Sequence, residues 1–210
     1  YPNPLTWFKQ TVAIVPSLLL PMRALALAVV GAAVVGIFMA REFPFPDGLK
    51  TQLNGQNLLT NLAGLEVYLR ALPLFIVGQN VRAVLLQTIL GIFTLGVLGV
   101  LIFMLPWGII SFIAMQFYMA GESPAQFLLA TVVPHAIVEL PVLLLIGAAA
   151  LRWETVTFAP LSDISLSEMF IIRAAEFWRV LLGLGIPLLL LAALLESFVT
   201  PQVLQWVYGG

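Results

Sequence analysis

The sequence predicts an all-α protein, a polytopic transmembrane helical bundle with about five spans. Of its 210 residues, 61% are hydrophobic and only 9% are charged, and the mean hydropathy is +1.08. Soluble domains have about 25% charged and 45–50% apolar residues, so this composition indicates an integral membrane protein. Because each helical crossing needs about 20 apolar residues, the chain has room for about five or six crossings and their connections.

Five apolar segments are predicted to span the membrane, one or more of them broken or short. They are residues 23–40, 83–104, 107–120, 124–151 and 180–200. In the first, the small residues Gly31, Ala32, Ala33 and Gly36 favour close helix approach. The second carries a seam of small residues at Gly91, Gly96 and Gly99. A tight break at Leu105-Pro106-Trp107-Gly108 is expected to end it, and Pro187 is expected to kink the last span.

The remaining segments are predicted to lie at the membrane surface. Residues 1–22 are interpreted as an interfacial helix or as a fragment of an upstream region, and residues 23–210 as a single transmembrane domain. Leu58, Leu62, Leu65 and Leu69 recur on one helical face, which predicts an amphipathic helix near 55–70. A second amphipathic helix is predicted near 167–179, so both would be suited to an interface.

Composition also excludes several classes of function. The chain has no cysteine, one histidine and a net charge of −1 without a basic block, so nucleic acid is not an expected partner. A zinc hydrolase needs three protein ligands and a base, which one histidine without cysteine does not suggest. No glycine-rich phosphate loop is present. The sequence therefore predicts no catalytic residue, no cofactor, no metal ion and no enzymatic activity.

The run Pro134-His135-Ala136-Ile137-Val138-Glu139-Leu140-Pro141 is the most unusual part of the sequence. His135 and Glu139 are four residues apart, so they share one face of a helix, one turn apart. Pro134 and Pro141 are expected to break that helix around them. A charge at the bilayer centre costs about 2.5–3.5 kcal/mol, so Glu139 is expected to be either protonated or paired.

Two residues from neighbouring helices, Glu196 and Asn80, are candidates to join His135 and Glu139. Together the four would form an intramembrane polar site. The structural interpretation is that the pair fixes helix register by hydrogen bonding across the bundle. The functional interpretations are an ion or proton pathway, a metal site, or a site for lipid or peptide.

Several motifs, in order, resemble the stage II sporulation protein M family. They are Gln79-Asn80-Val81-Arg82 before the glycine-rich span, the Pro-His-x-x-x-Glu-Leu-Pro run at 134–141, and Glu196-Ser197-Phe198-Val199-Thr200-Pro201 near the end. The resemblance covers roughly residues 23–205. Family members usually carry an Asn-Gly pair where this chain has Pro106-Trp107-Gly108.

The family's namesake looks like a membrane scaffold for peptidoglycan-remodelling enzymes. The resemblance therefore implies a scaffold role for this chain as well. We therefore expect a non-enzymatic, multi-pass scaffold or complex subunit of the cytoplasmic (inner) membrane. Its expected partners are the lipid bilayer, other membrane or cell-envelope proteins, and a second copy of the chain. The alternative is a transporter or channel-like subunit that uses the His/Glu site, because broken helices near the midplane are typical of transporter sites.

Overall fold

The chain is all-helical in a computed structural model that describes residues 3–50, 52–53, 56–57, 60, 73–158 and 164–209. No strand occurs among these residues, which confirms the predicted fold class. The helices considered below are α1 Pro4–Val12, α2 Val15–Glu42, α3 Asp47–Lys50, α4 Pro73–Phe93, α5 Val97–Met119, α6 Pro124–Thr131, α7 Val133–Glu154 and α8 Leu166–Tyr208. Five of them, α2, α4, α5, α7 and α8, are long and apolar enough to cross a membrane, the predicted number.

Helix α7 lies at the centre of the bundle and packs against α2, α4 and α8. Its second half is a run of small residues, Gly147-Ala148-Ala149-Ala150, in which the three alanines are buried. Small side chains let neighbouring helices approach closely, which matters in a membrane because burial from water does not drive helix association there. Residues from four other helices close the core around this run: Leu25, Val84, Phe103 and Leu189.

Helices α2 and α5 pack against each other over an extensive contact. A side-chain carbon at Gly36 would overlap the backbone carbonyl of Gly108, and one at Gly108 would lie 3.4 Å from the carbonyl oxygen of Ala32. The two backbones therefore touch. Of the four small residues predicted to favour close approach, Ala32 and Gly36 lie at this contact, whereas a side chain at Gly31 would meet no atom within 4 Å.

The break between the second and third spans lies elsewhere than predicted. Helix α5 runs from Val97 through Pro106 to Met119 without interruption, so the structure shows no break at Pro106-Trp107-Gly108. The turn occurs at Thr94-Leu95-Gly96, where Leu95 and Gly96 have φ of 54° and 91°. A glycine adopts positive φ at little cost, so Gly96 turns the chain. The predicted span 83–104 therefore crosses this turn and covers the end of α4 and the start of α5, and the predicted span 107–120 is the second half of α5.

The predicted segment 124–151 is two helices divided at a single residue. Val132, with φ −110° and ψ −51°, separates α6 from α7. Pro134 falls in the first turn of α7, where its missing N–H costs no helical hydrogen bond. Pro141 lies inside α7, and the helix continues past it. The chain therefore breaks before Pro134, and His135 and Glu139 lie on one continuous helix.

Helix α8 is 43 residues long and joins two predicted elements, the amphipathic segment 167–179 and the span 180–200. Two π-helical turns interrupt it, at Leu181–Gly185 and Leu195–Val199. Each is followed two residues later by a proline, Pro187 or Pro201. Proline cannot donate a backbone hydrogen bond, so a local change of register at these points accommodates it. The predicted kink near Pro187 takes this form.

The N-terminal boundary also differs from the prediction. Helix α2 begins at Val15, so residues 15–22 belong to the first spanning helix. The remaining segment forms α1, which packs on α8 through Trp7 against Gly183 and through the buried Thr11. The amphipathic helix predicted at 55–70 falls almost entirely outside the described residues.

Candidate intramembrane polar site

The structure brings Asn80, His135, Glu139 and Glu196 together from α4, α7 and α8. The Asn80 side chain donates a hydrogen bond from Nδ2 to Glu139 Oε1, at 2.8 Å. The Nε2 atom of His135 lies 3.6 Å from Glu139 Oε2. One nitrogen or oxygen from each of His135, Glu139 and Glu196 lies within 4.8 Å of the others. Three separate helices thus contribute to one cluster.

Helices α7 and α8 place their residues by different local features. The i, i+4 spacing stacks His135 and Glu139 near the start of α7. Glu196 lies in the second π turn of α8, where the Thr200 N–H bonds back five residues to the Leu195 carbonyl. Such turns change the direction of the side chains around them and occur frequently at functional sites.

The cluster lies nearer one face of the bundle than its centre. Glu139 comes six residues after Val133, where α7 starts, and Asn80 comes seven residues after Pro73, where α4 starts. At 1.5 Å per residue, both lie only about 9–11 Å from the ends of their helices. The cluster thus lies towards the starts of α4 and α7.

A cavity of about 270 Å³ adjoins the cluster. Asn80, His135 and Glu139 line one side of it, and apolar side chains of α4 and α5 form much of the rest, among them Val84, Ile102, Phe103, Pro106 and Trp107. An apolar cavity with a few convergent polar groups is the usual form of a small-ligand site. The cavity therefore gives the polar cluster room for water or a small ligand.

The polar atoms of the cluster are incompletely satisfied within the protein. The Nδ1 atom of His135 is buried and has no hydrogen-bond partner among the described residues. Its Nε2 atom, 3.6 Å from Glu139, is beyond hydrogen-bonding distance. Leaving a buried polar group unpaired costs about 1–3 kcal/mol. The His135 side chain can therefore still bind a further polar group or ion.

Glu154 is a buried carboxylate that the sequence does not single out, because it follows Arg152 beyond the predicted span 124–151. It is the last residue of α7 and only 4% exposed. Its carboxylate fills the space left by the missing side chains of Gly91 and Gly99, and it also approaches Gly96. The glycine seam, predicted for helix packing, instead surrounds this carboxylate. The sequence signal for a buried group at this position is the three glycines in and around the turn between α4 and α5.

Gln116 is a second missed residue, and it connects two spanning helices. Its side chain is fully buried in α5. The Oε1 atom accepts a hydrogen bond from the Phe45 N–H at 3.0 Å, and Nε2 donates to the carbonyls of Ala40 and Phe43 at 3.2 and 3.0 Å. These bonds satisfy carbonyls that α2 leaves free at its C-terminus. Its role is therefore structural.

In a comparison with known protein families, residues 24–201 match the family described as "Stage II sporulation protein M". Neither a curated protein nor a solved structure matches the chain. The matched range contains all four residues of the polar cluster and most of the five spanning helices. The chain belongs to the stage II sporulation protein M family.

Proposed function

We propose that this protein is a non-enzymatic scaffold, a multi-pass subunit of a protein complex in the cytoplasmic membrane. The length of α8 is the observation that carries the proposal. Its 43 residues extend about 64 Å at 1.5 Å per residue. The hydrocarbon core of a bilayer is about 30 Å thick, and about 40–45 Å with headgroups. Because α8 is longer than one crossing requires, we infer that its first turns lie outside the hydrocarbon core, where another protein can reach them.

The first turns of α8 form the projecting part, and they are held rigidly against the bundle. Glu176 accepts a hydrogen bond from Arg173 at 2.7 Å and lies 3.5 Å from Arg152 of α7. Arg152 in turn donates to Ser17 of α2 at 2.6 Å. The Phe177 ring is buried and lies 5.5 Å from Trp153. A scaffold needs a fixed binding surface, and these contacts provide one.

The outer surface of the projecting part has the character of a protein interface. Ile171 and Trp178 are exposed on it, and Arg179 lies beside them. Aromatic residues and arginine are enriched at protein interfaces. This surface supports membrane or cell-envelope proteins, or a second copy of the chain, as partners.

Charge reversal at Arg179 tests this proposal. The experiment compares proteins that copurify with the full chain and with Arg179→Glu from native membranes in a mild detergent. A like charge placed against a partner costs several kcal/mol, so we expect partner recovery to fall about tenfold or more, since 1.4 kcal/mol is tenfold. Lys9→Glu is the matched control, because it makes the same charge change at an exposed position of α1. Equal partner recovery from both variants would contradict the proposal.

A transport subunit is the second candidate function, and the polar cluster with its cavity favours it. Intramembrane ionisable residues are costly and commonly mark ion or proton paths. In reconstituted vesicles, a transporter would lose pH-dependent or ion-dependent flux on Glu139→Gln or Glu196→Gln while staying folded. Unchanged flux in both folded variants would exclude this function.

A further inference from the structure

We propose that His135, Glu139 and Glu196 bind one divalent transition-metal ion, with Zn²⁺ as the best match. The sequence leaves a metal site as one interpretation of this cluster, but one histidine and no cysteine do not by themselves predict a metal ion. The inference depends on neither proposed function. In a scaffold, a permanently bound ion would hold the three helices together, and in a transport subunit, an exchangeable ion would be the transported species.

The separations of the donor atoms suit such an ion. Zn²⁺ binds histidine nitrogen at about 2.0–2.1 Å and carboxylate oxygen at about 2.0–2.2 Å, so tetrahedral donors lie roughly 3.4 Å apart. His135 Nε2 and Glu139 Oε2 are 3.6 Å apart, and the three donors all lie within 4.8 Å of one another. Small side-chain rotations would bring the donors to bonding distance.

The ligand set, one imidazole and two carboxylates, favours divalent transition metals. Imidazole favours zinc, copper, iron and nickel, whereas an all-oxygen set would favour magnesium or calcium. The chain contains no thiolate, which argues against Cu⁺. Two ionised carboxylates this close repel each other where water is scarce, and a divalent cation would neutralise both. Zn²⁺ is also commonly bound by three protein ligands and one water.

Two further features point to a ligand. Neither nitrogen of His135 is within hydrogen-bonding distance of a partner among the described residues. The cavity of about 270 Å³ reaches His135 and Glu139, so it provides an open position for a water ligand. Asn80 holds Oε1 of Glu139 and leaves Oε2 towards His135. Asn80 is thus a positioning residue of the kind that orients metal ligands.

Metal titration of the full chain in mild detergent tests the inference. After chelator treatment, Zn²⁺ is added in competition with a chromophoric chelator, and bound metal is counted by elemental analysis. We expect one saturable Zn²⁺ per chain and loss of this binding in His135→Ala, Glu139→Gln and Glu196→Gln. Asn80→Ala should weaken binding about 10–100-fold, the usual effect of removing a residue that orients a ligand.

Glu154→Gln is the matched control, because it removes another buried carboxylate of α7 away from the cluster. It should bind Zn²⁺ as the unaltered chain does. Helical circular dichroism and a monodisperse elution peak identify folded variants, and Glu196→Gln, nearly isosteric, serves if His135→Ala does not fold. Co²⁺ gives a second readout, since tetrahedral coordination produces visible absorption that the variants should lack. No saturable binding, or binding unchanged in folded Glu196→Gln and His135→Ala, would overturn the inference.

Discussion

At the scale of single residues, glycines decide which groups can meet inside this bundle. Gly36 and Gly108 bring two backbones into contact, whereas Gly91 and Gly99 make room for the Glu154 carboxylate. The same residue type thus serves two purposes. The sequence indicates where glycines cluster but does not show what fills the space beside them, because that depends on the register of a helix more than 50 residues away.

Gly91→Ala should destabilise the protein. The added methyl group would overlap the Glu154 carboxylate, so this buried side chain would have to shift. Overpacking a core costs about 1–3 kcal/mol, so thermal unfolding in detergent should occur at a lower temperature. Gly78→Ala is the matched control in the same helix, because its methyl group would meet no atom within 4 Å. It should be neutral or stabilising, since alanine favours a helix over glycine by about 1 kcal/mol.

The cause of the Gly91→Ala effect can be checked by a second substitution. Glu154→Ala removes the carboxylate that the methyl group would strike. In the double variant, the loss caused by Gly91→Ala should therefore be much smaller than in the single variant, which is a coupling energy between the two sites. Additive effects would show that the overlap is not the cause.

The residue scale also shows what spacing alone can predict. The i, i+4 rule placed His135 and Glu139 on one helix face, and the cost of a membrane carboxylate required a partner for Glu139. In the structure, Asn80 hydrogen-bonds Glu139 and Glu196 lies within 4.8 Å. Glu154 escaped the same reasoning because its neighbour Arg152 suggested a position outside the membrane.

At the scale of elements, the ends of helices were harder to predict than the helices themselves. Hydrophobicity marks an apolar segment, but a proline such as Pro106 or Pro141 does not show whether the helix ends there. In a membrane bundle, neighbouring groups can hydrogen-bond to the backbone carbonyls that the proline leaves free. In this chain both prolines lie inside continuous helices. A left-handed residue, Gly96, makes the turn instead, and positive φ is not visible in the sequence.

Gln116→Leu should loosen the connection between α5 and the end of α2. The change removes one acceptor and one donor group that together make three hydrogen bonds. The backbone groups left without a partner cost about 1–3 kcal/mol each when they stay buried. We expect a lower unfolding temperature and faster amide hydrogen exchange in residues 40–45. Gln126→Leu, at an exposed position of α6, is the matched control and should change neither measurement.

At the scale of the whole molecule, the two ends of the bundle differ in chemistry. The end that contains the start of α8 carries the Arg152, Arg173 and Glu176 network, and the opposite end carries the polar cluster. Five spans follow from composition alone, because 210 largely apolar residues allow about that number. Their arrangement around α7 depends on small residues at several contacts at once, which a single sequence does not reveal.

The charge distribution predicts the orientation of the protein. Five positive residues, Lys9, Arg23, Arg152, Arg173 and Arg179, lie towards the start of α8, against Arg41, Lys50 and Arg82 towards the opposite end among the described residues. Positive residues favour the cytoplasmic side. Because the chain has no cysteine, single-cysteine variants report each side directly. Ser167→Cys should react with a membrane-impermeant maleimide only after cell lysis, whereas Asp47→Cys, with a side chain 97% exposed near the opposite end, should react in intact cells. The reverse pattern would place the α8 projection, and the scaffold surface proposed on it, outside the cytoplasm.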